Sequence, residues 1–148
     1  MKNSETEQMV SFRIKDIELL EFSLNQPLEP LKNQTIFHFN LGLEQKINPE
    51  KKTVQVILKI EISQQDKELR LASFSAACTF EVVNLEEYID KKTSQVNLPE
   101  NILISFNSIT ISTVRGIMYS QFKGTFLQNA ILPVIDTAAL MRSNTTER

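Results

Sequence analysis

The sequence predicts an α+β fold: a four-stranded antiparallel sheet with one long helix and a short C-terminal helix on one face. Three observations carry this. Residues 11–83 hold four segments in which apolar and polar residues alternate, each closed by a turn or loop pattern. Only after them does a long helical pattern appear: Val114, Ile117, Met118 and Phe122 fall at i, i+3, i+4 and i+8, on one helical face. At 148 residues the chain is one domain with a sizeable core, and this helix is the one long element able to cover the sheet.

Residues 1–9 are polar and predict a disordered N-terminus; the folded domain is expected over 10–142 and a frayed polar tail over 143–148. The first strand is expected over 11–25. Phe12 and Ile14 alternate with Arg13 and Lys15; then Ile17 and Leu19 share one parity and Leu20, Phe22 and Leu24 the other, and a bulge near Leu19 and Leu20 fits that switch. Pro27 and Pro30 end this strand and open a linker to about Gln34.

The second strand, over 35–45, points Phe37, Phe39, Leu41 and Leu43 one way and His38, Asn40, Gly42 and Glu44 the other. A hairpin loop over 47–52 leads to a third strand, 53–63. There Val54, Val56, Leu58, Ile60 and Ile62 alternate with polar residues, and Ile57 stands alone on the wet side. A turn over 64–68 leads to the fourth strand, 69–83. One face carries Ala72, Phe74, Ala76, Cys78, Phe80 and Val82; the other is small and half-polar, as expected of a solvated side.

A short helical turn over 85–89, capped by Asn84, and a polar loop precede the long helix, expected over 100–123 with Pro99 near its first turn. Ile102, Phe106, Ile109 and Thr113 fit one helical face, Ile102, Ile104 and Phe106 also alternate as in a strand, and the β-branched run around Ile109 to Thr113 lowers helix propensity. Gly124 after Lys123 reads as its C-terminal stop, and Asp136 as the N-cap of a last helix after Pro133.

A net charge of −2 with only isolated lysine pairs excludes a chain built to grip nucleic acid. A single cysteine excludes an intrachain disulfide. The polar start shows no signal-peptide core, and no run approaches the roughly 18 apolar residues of a membrane span, so a cytoplasmic location without membrane insertion is expected.

Catalytic chemistry finds no carrier. His38 is the only histidine, lies on a polar strand face and has no positioned partner. Cys78 belongs to the apolar parity of its strand and reads as a buried, inert thiol. Three glycines make no phosphate loop, and Glu86, Glu87 and Asp90 read as a solvated cluster. No metal site and no cofactor are expected, and the chain is expected not to be an enzyme. What remains is apolar surface. One helix does not cover four long strands, so the surplus is expected to be buried by another subunit or left as a groove for partners. An internal pocket for a small hydrophobic ligand is the alternative. Nine phenylalanines and no tryptophan suit a groove that accepts apolar side chains without asking for a hydrogen bond.

Two blocks resemble the SecB family of export chaperones in divergent form. In the first, from Phe12 to Pro27, Phe12, Ile14, Ile17 and Pro27 fall on positions typical of that family's opening strand. In the second, Arg115 is similar to its helix arginine, Gly124-Thr125-Phe126 to its Gly-Thr-Phe, and Leu132-Pro133-Val134 to its Ala-Pro-Val. The resemblance implies an ATP-independent holdase. It would bind unfolded or precursor polypeptides in apolar grooves, assembled as a homotetramer, a dimer of dimers. It further implies client contacts at Phe37, Phe39, Leu41, Leu43, Phe126 and Leu127, subunit contacts at Arg115 and Tyr119, and docking of a SecA-type motor at Glu21 and Leu71. Asn25 and Ser73 stand where classical members carry acids, which weakens the SecA expectation. Some SecB-like proteins instead guard an antitoxin, a role that needs the groove but not the acidic dock.

Overall fold

The computed structural model describes residues 10–65 and 69–146. In order come strands β1 (Phe12–Leu24), β2 (Phe37–Asn48), β3 (Thr53–Gln64) and β4 (Arg70–Val82), a 3-10 turn over Leu85–Tyr88, helix α1 (Glu100–Phe122) and helix α2 (Thr137–Thr146). The strands pair antiparallel in the order β1-β4-β3-β2, so β1 and β2 are the edges. This is the expected α+β architecture. The stretch 1–9 expected to be disordered lies outside the described residues. Helix α2 runs past the expected domain boundary at 142, to Thr146.

β1 shows not one bulge but two. Its pairing with β4 shifts between Ile14 and Asp16 and again between Leu19 and Glu21, leaving Lys15 and Leu20 as extra residues. Each shift flips the parity of the strand, so Phe12, Ile14, Ile17, Leu19, Phe22 and Leu24 all face the helix side. Both parity switches stand in the sequence; only the second was expected as a bulge. A further shift sits between Ile62 and Ser63, opposite Ala72 and Arg70, and its extra residue is Leu71. That shift turns Leu71 into the sheet–helix core, where it is fully buried.

The outer face of the sheet is drier than its sequence suggests. Ser75 and Ala77 on β4 are buried, and so is Ile57, directly opposite Ala77. The cause is relief. The small side chains of β4 lie in a valley between longer neighbours, Glu18 and Glu21 on β1 and Ile57 and Lys59 on β3.

α1 crosses β3 and β4. Its buried stripe is Phe106, Asn107, Thr110, Ile111, Val114, Met118 and Phe122. This is rotated from the expected stripe, because two polar residues lie in it. Asn107 accepts a hydrogen bond from Gln45 Nε2 at 2.8 Å, and Thr110 donates to the Phe106 carbonyl at 2.8 Å. Ile102, Ile109 and Thr113 flank the stripe, half-buried. Despite its β-branched run, α1 is one continuous helix. It is also long and apolar enough to cross a membrane by length and composition, contrary to expectation. Its buried stripe is packed on the sheet.

Six of the nine phenylalanines fix where α1 lies. At one end, Phe12 of β1, Phe80 of β4 and Phe106 of α1 meet, with Phe80 and Phe106 stacked at 4.4 Å and Phe12 edge-on to both. At the other, Phe22 of β1, Phe74 of β4 and Phe122 of α1 meet with centroids 5.8–6.0 Å apart. Each buried ring removes apolar surface worth about 1.5–3 kcal/mol, and its geometry adds about 0.5–1.5 kcal/mol per pair. The helix is thereby pinned at both ends over the sheet centre.

Candidate functional site

Pinning α1 over β3 and β4 leaves the helix-side faces of both edge strands incompletely covered. On β1, Ile14, Ile17, Leu19 and Phe22 are 37–46% exposed. On β2, Phe37, Phe39, Leu41 and Leu43 are half-buried against the same core. This second row is continuous and uncharged. It ends at Gln45, which bonds to Asn107 of α1.

At its other end the row opens into a cleft of about 630 Å³ lined by Phe37, Phe126, Asn129 and the segment Gln26 to Thr35. The structure thus brings together two of the expected client residues from distant parts of the chain. Phe126 is held there by the turn after α1. Gly124 adopts φ +77°, a left-handed conformation that only glycine adopts without strain. The Thr125 hydroxyl donates to the Phe122 carbonyl at 2.7 Å and accepts the Leu127 amide at 3.1 Å. Gly-Thr-Phe is therefore a helix stop that aims one aromatic ring.

Leu127, expected to touch clients, is fully buried in the core instead. The turn that leaves Phe126 half-exposed directs the next side chain inward. Leu71, expected in a SecA dock, is likewise buried by its bulge, so its side chain presents no surface. Glu21 is exposed on the outer face of β1, beside the Leu20 bulge. Asn25 is structural: its side chain donates to the Arg70 carbonyl at 3.2 Å.

Arg115, expected between subunits, spends its guanidinium on its own chain, donating to the Leu132 and Pro133 carbonyls. Tyr119, one turn further along α1, is exposed, with Lys123 Nζ 5.3 Å from its ring centroid. Asp136 accepts the Ala139 amide at 3.1 Å, as expected of an N-cap. Asn84 sits at the N-cap position of the 3-10 turn without the expected side-chain cap. Instead it accepts the Ser11 amide and bonds to Glu87, tying the turn to the start of β1.

Burial pushes the Cys78 thiol above its ordinary value, against smaller opposing hydrogen bonds from Thr110 and Thr113. Glu86 is held below the usual range, first by a backbone hydrogen bond and then by Lys52, whose Nζ lies 3.1 Å away. His38 lies exposed on the outer face.

Sequence reasoning missed Leu31, which packs from the 25–36 segment onto the core and lines the Phe37–Phe126 cleft. Its signal was an apolar residue between Pro30 and Lys32 in a stretch read as linker. A larger cleft, about 920 Å³, lies at the opposite end of β2 and is lined by Lys15, Lys46, Lys51, Ile47 and Ile89 among others. It takes in none of the expected site residues.

No family profile and no curated protein sequence matches the chain. A solved structure does match. It is the SecB-like chaperone Rv1957 of Mycobacterium tuberculosis, in complex with a ChAD peptide from the Rv1956 HigA1 antitoxin. The TM-score is 0.58 at 16% identity, covering 84% of this chain and 90% of that one. The fold is therefore SecB-like.

Proposed function

We propose that this chain is an ATP-independent chaperone that holds unfolded polypeptides on the apolar row of β2 and in the Phe37–Phe126 cleft. The observation that carries this is the division of the phenylalanines. Six build the two triads that pin α1, Phe22 on the edge of one of them being itself 37% exposed, and the remaining three, Phe37, Phe39 and Phe126, lie half-buried along one open surface. An unfolded client exposes apolar side chains, and an uncharged row of Phe and Leu takes them up without demanding one sequence. The apolar face of β1 is assigned to assembly, as a homotetramer, a dimer of dimers. Export precursors in the cytoplasm are the clients this reading favours, and Glu21 is where a SecA-type motor would dock.

A second reading, a chaperone dedicated to an antitoxin, is supported by the peptide in the matching SecB-like structure. The test begins with a chemically denatured protein diluted into buffer without nucleotide. The full chain at equimolar amounts should suppress light scattering, and mass measurement should report its assembly. Unchanged aggregation, together with tight uptake of a small hydrophobe by a monomer, would show a ligand-binding domain instead. Pull-down then separates the readings: many precursors mark export, one antitoxin the second.

A further inference from the structure

We propose that the cleft of about 920 Å³ at the outer face of the sheet binds an extended acidic segment of a partner protein, laid across the four strands with carboxylates at alternate residues. This site lies apart from the Phe37–Phe126 cleft and does not need the chaperone reading.

One rung of the sheet builds the floor. Asp16 of β1 faces Thr79 of β4, Thr79 faces Gln55 of β3, and Gln55 faces Lys46 of β2, all on the side away from α1. Thr53, one rung nearer the hairpin, also lines the cleft and is 8% exposed. Its hydroxyl has no hydrogen-bond partner among the described residues, yet it is not sealed from solvent. A hydroxyl held that deep without a partner is left for a ligand to satisfy. The rim carries charge. Lys15, the extra residue of the first β1 bulge, stands at one end, and Lys46 and Lys51 stand at the other. A bulge re-aims a side chain, and this one sets a lysine at the cleft. Among the described residues the ion pairs are Arg13–Glu81, Lys52–Glu86 and Arg70–Glu61, so the three ammonium groups at the rim are uncommitted.

Spacing and chemistry select the occupant. Three strand spacings of about 4.8 Å set the backbones of Lys15 and Lys46 about 14 Å apart, too far for one phosphate to serve both. An extended peptide covers that distance in about four residues of about 3.3 Å each, so acidic side chains on one side of a strand-like segment reach both ends. The floor offers acceptors as well as donors, in Thr53, Gln55 and Thr79. A peptide backbone uses both, whereas a phosphate uses donors alone. Asp16 and Glu50, also at the rim, oppose the dense charge of a polyphosphate and can accept peptide N–H groups. Three lysines against these two carboxylates still leave the cleft net positive. Among the described residues no aromatic ring lines it to stack a nucleobase. On the rung further from the hairpin stand Glu18 and Glu44, which confine an acidic stretch to this end of the sheet.

The test titrates the full chain at low ionic strength with a short synthetic peptide of alternating Glu and Ser, and with one of alternating Gln and Ser as control. The Gln peptide should bind about tenfold more weakly. Lys15→Gln and Lys46→Gln should each weaken binding of the Glu peptide about threefold, and together about tenfold. Thr53→Val should cost about threefold as well. Lys59→Gln, on the same face but outside the cleft, should change nothing. Should Thr53→Val not fold, the unaltered chain gives a second reading: the side-chain amide resonance of Gln55 should move with the Glu peptide and stay with the Gln peptide. Equal losses from Lys15→Gln, Lys46→Gln and Lys59→Gln overturn the proposal, because they mark unspecific attraction to charge. Displacement of the peptide by equimolar inorganic pyrophosphate overturns it in favour of a small phosphate anion. Failure of the Glu peptide to bind overturns it outright. The Lys15→Gln, Lys46→Gln double variant should suppress aggregation of a denatured protein as the unaltered chain does. Loss of suppression there would put unfolded clients in this cleft and overturn the acidic-partner assignment. Failure of the unaltered chain to suppress aggregation at all would overturn the chaperone reading and leave this site standing.

Discussion

Arg115 donates through Nε to the Leu132 carbonyl and through a terminal nitrogen to the Pro133 carbonyl, both at 2.8 Å. One planar guanidinium therefore holds the linker between α1 and α2 against the helix. The two carbonyls have no strand or helix to satisfy them, and the fork geometry serves both at once.

Replacing this side chain should loosen the linker. Arg115→Ala is expected to cost about 1–3 kcal/mol in urea unfolding, and Arg115→Lys to recover little of it, because an ammonium is a point donor. A change in assembled mass with no loss of protomer stability would instead place Arg115 between subunits.

The half-buried and buried apolar residues should separate by readout. Phe39→Ser is expected to weaken suppression of aggregation while leaving unfolding cooperative. Leu127→Ala should do the reverse, costing about 2–5 kcal/mol of stability with holding preserved in the folded fraction. Holding assays and urea melts on both variants decide it; loss of cooperativity in Phe39→Ser would mean that the row is core.

Gly124→Ala meets no atom within 4 Å, so its cost is conformational alone. It should destabilise by about 1–2 kcal/mol, the penalty for a side chain in the left-handed region, with Gly124→Asn costing less. A thermal melt of both variants reads the difference, and an effect equal for Ala and Asn would point to something other than φ.

Cys78 should be nearly inert to an aromatic disulfide reagent in the folded protein and reactive in concentrated urea. Its raised pKa also gives a sign for pH. Below the ordinary thiol range, folded and unfolded chains both keep the proton and the group contributes nothing. As pH rises from about 8 past that range, the unfolded chain ionises first and stability falls. Cys78→Ser should flatten that alkaline loss; an unchanged pH slope would assign it elsewhere.

Element order and strand faces were legible because alternation is written directly in residue type. Phe37 to Leu43 or Ala72 to Val82 has only one way to lie in a half-buried strand. The helix stop was equally legible, since Gly124 meets a conformational demand few residues satisfy. What could not be read depended on partners distant in sequence. The α1 stripe turned because Asn107 found Gln45, sixty-two residues away. Leu71 went inward because a bulge formed opposite Ile62 and Ser63. Leu127 and Phe126 are adjacent and both apolar, and only the turn at Thr125 sends one to the core and the other to the cleft. Burial of Ser75 and Ala77 came from the height of their neighbours, which no single strand records.

The bulges of β1 give the strand thirteen residues to set against eleven on β4. Lys15 and Leu20 have no counterparts, so removing both leaves eleven pairs in unbroken register with every apolar side chain on its present face. Such a double deletion would turn β1 into a straight backbone edge able to pair with another strand along its whole length, which the two extra residues interrupt.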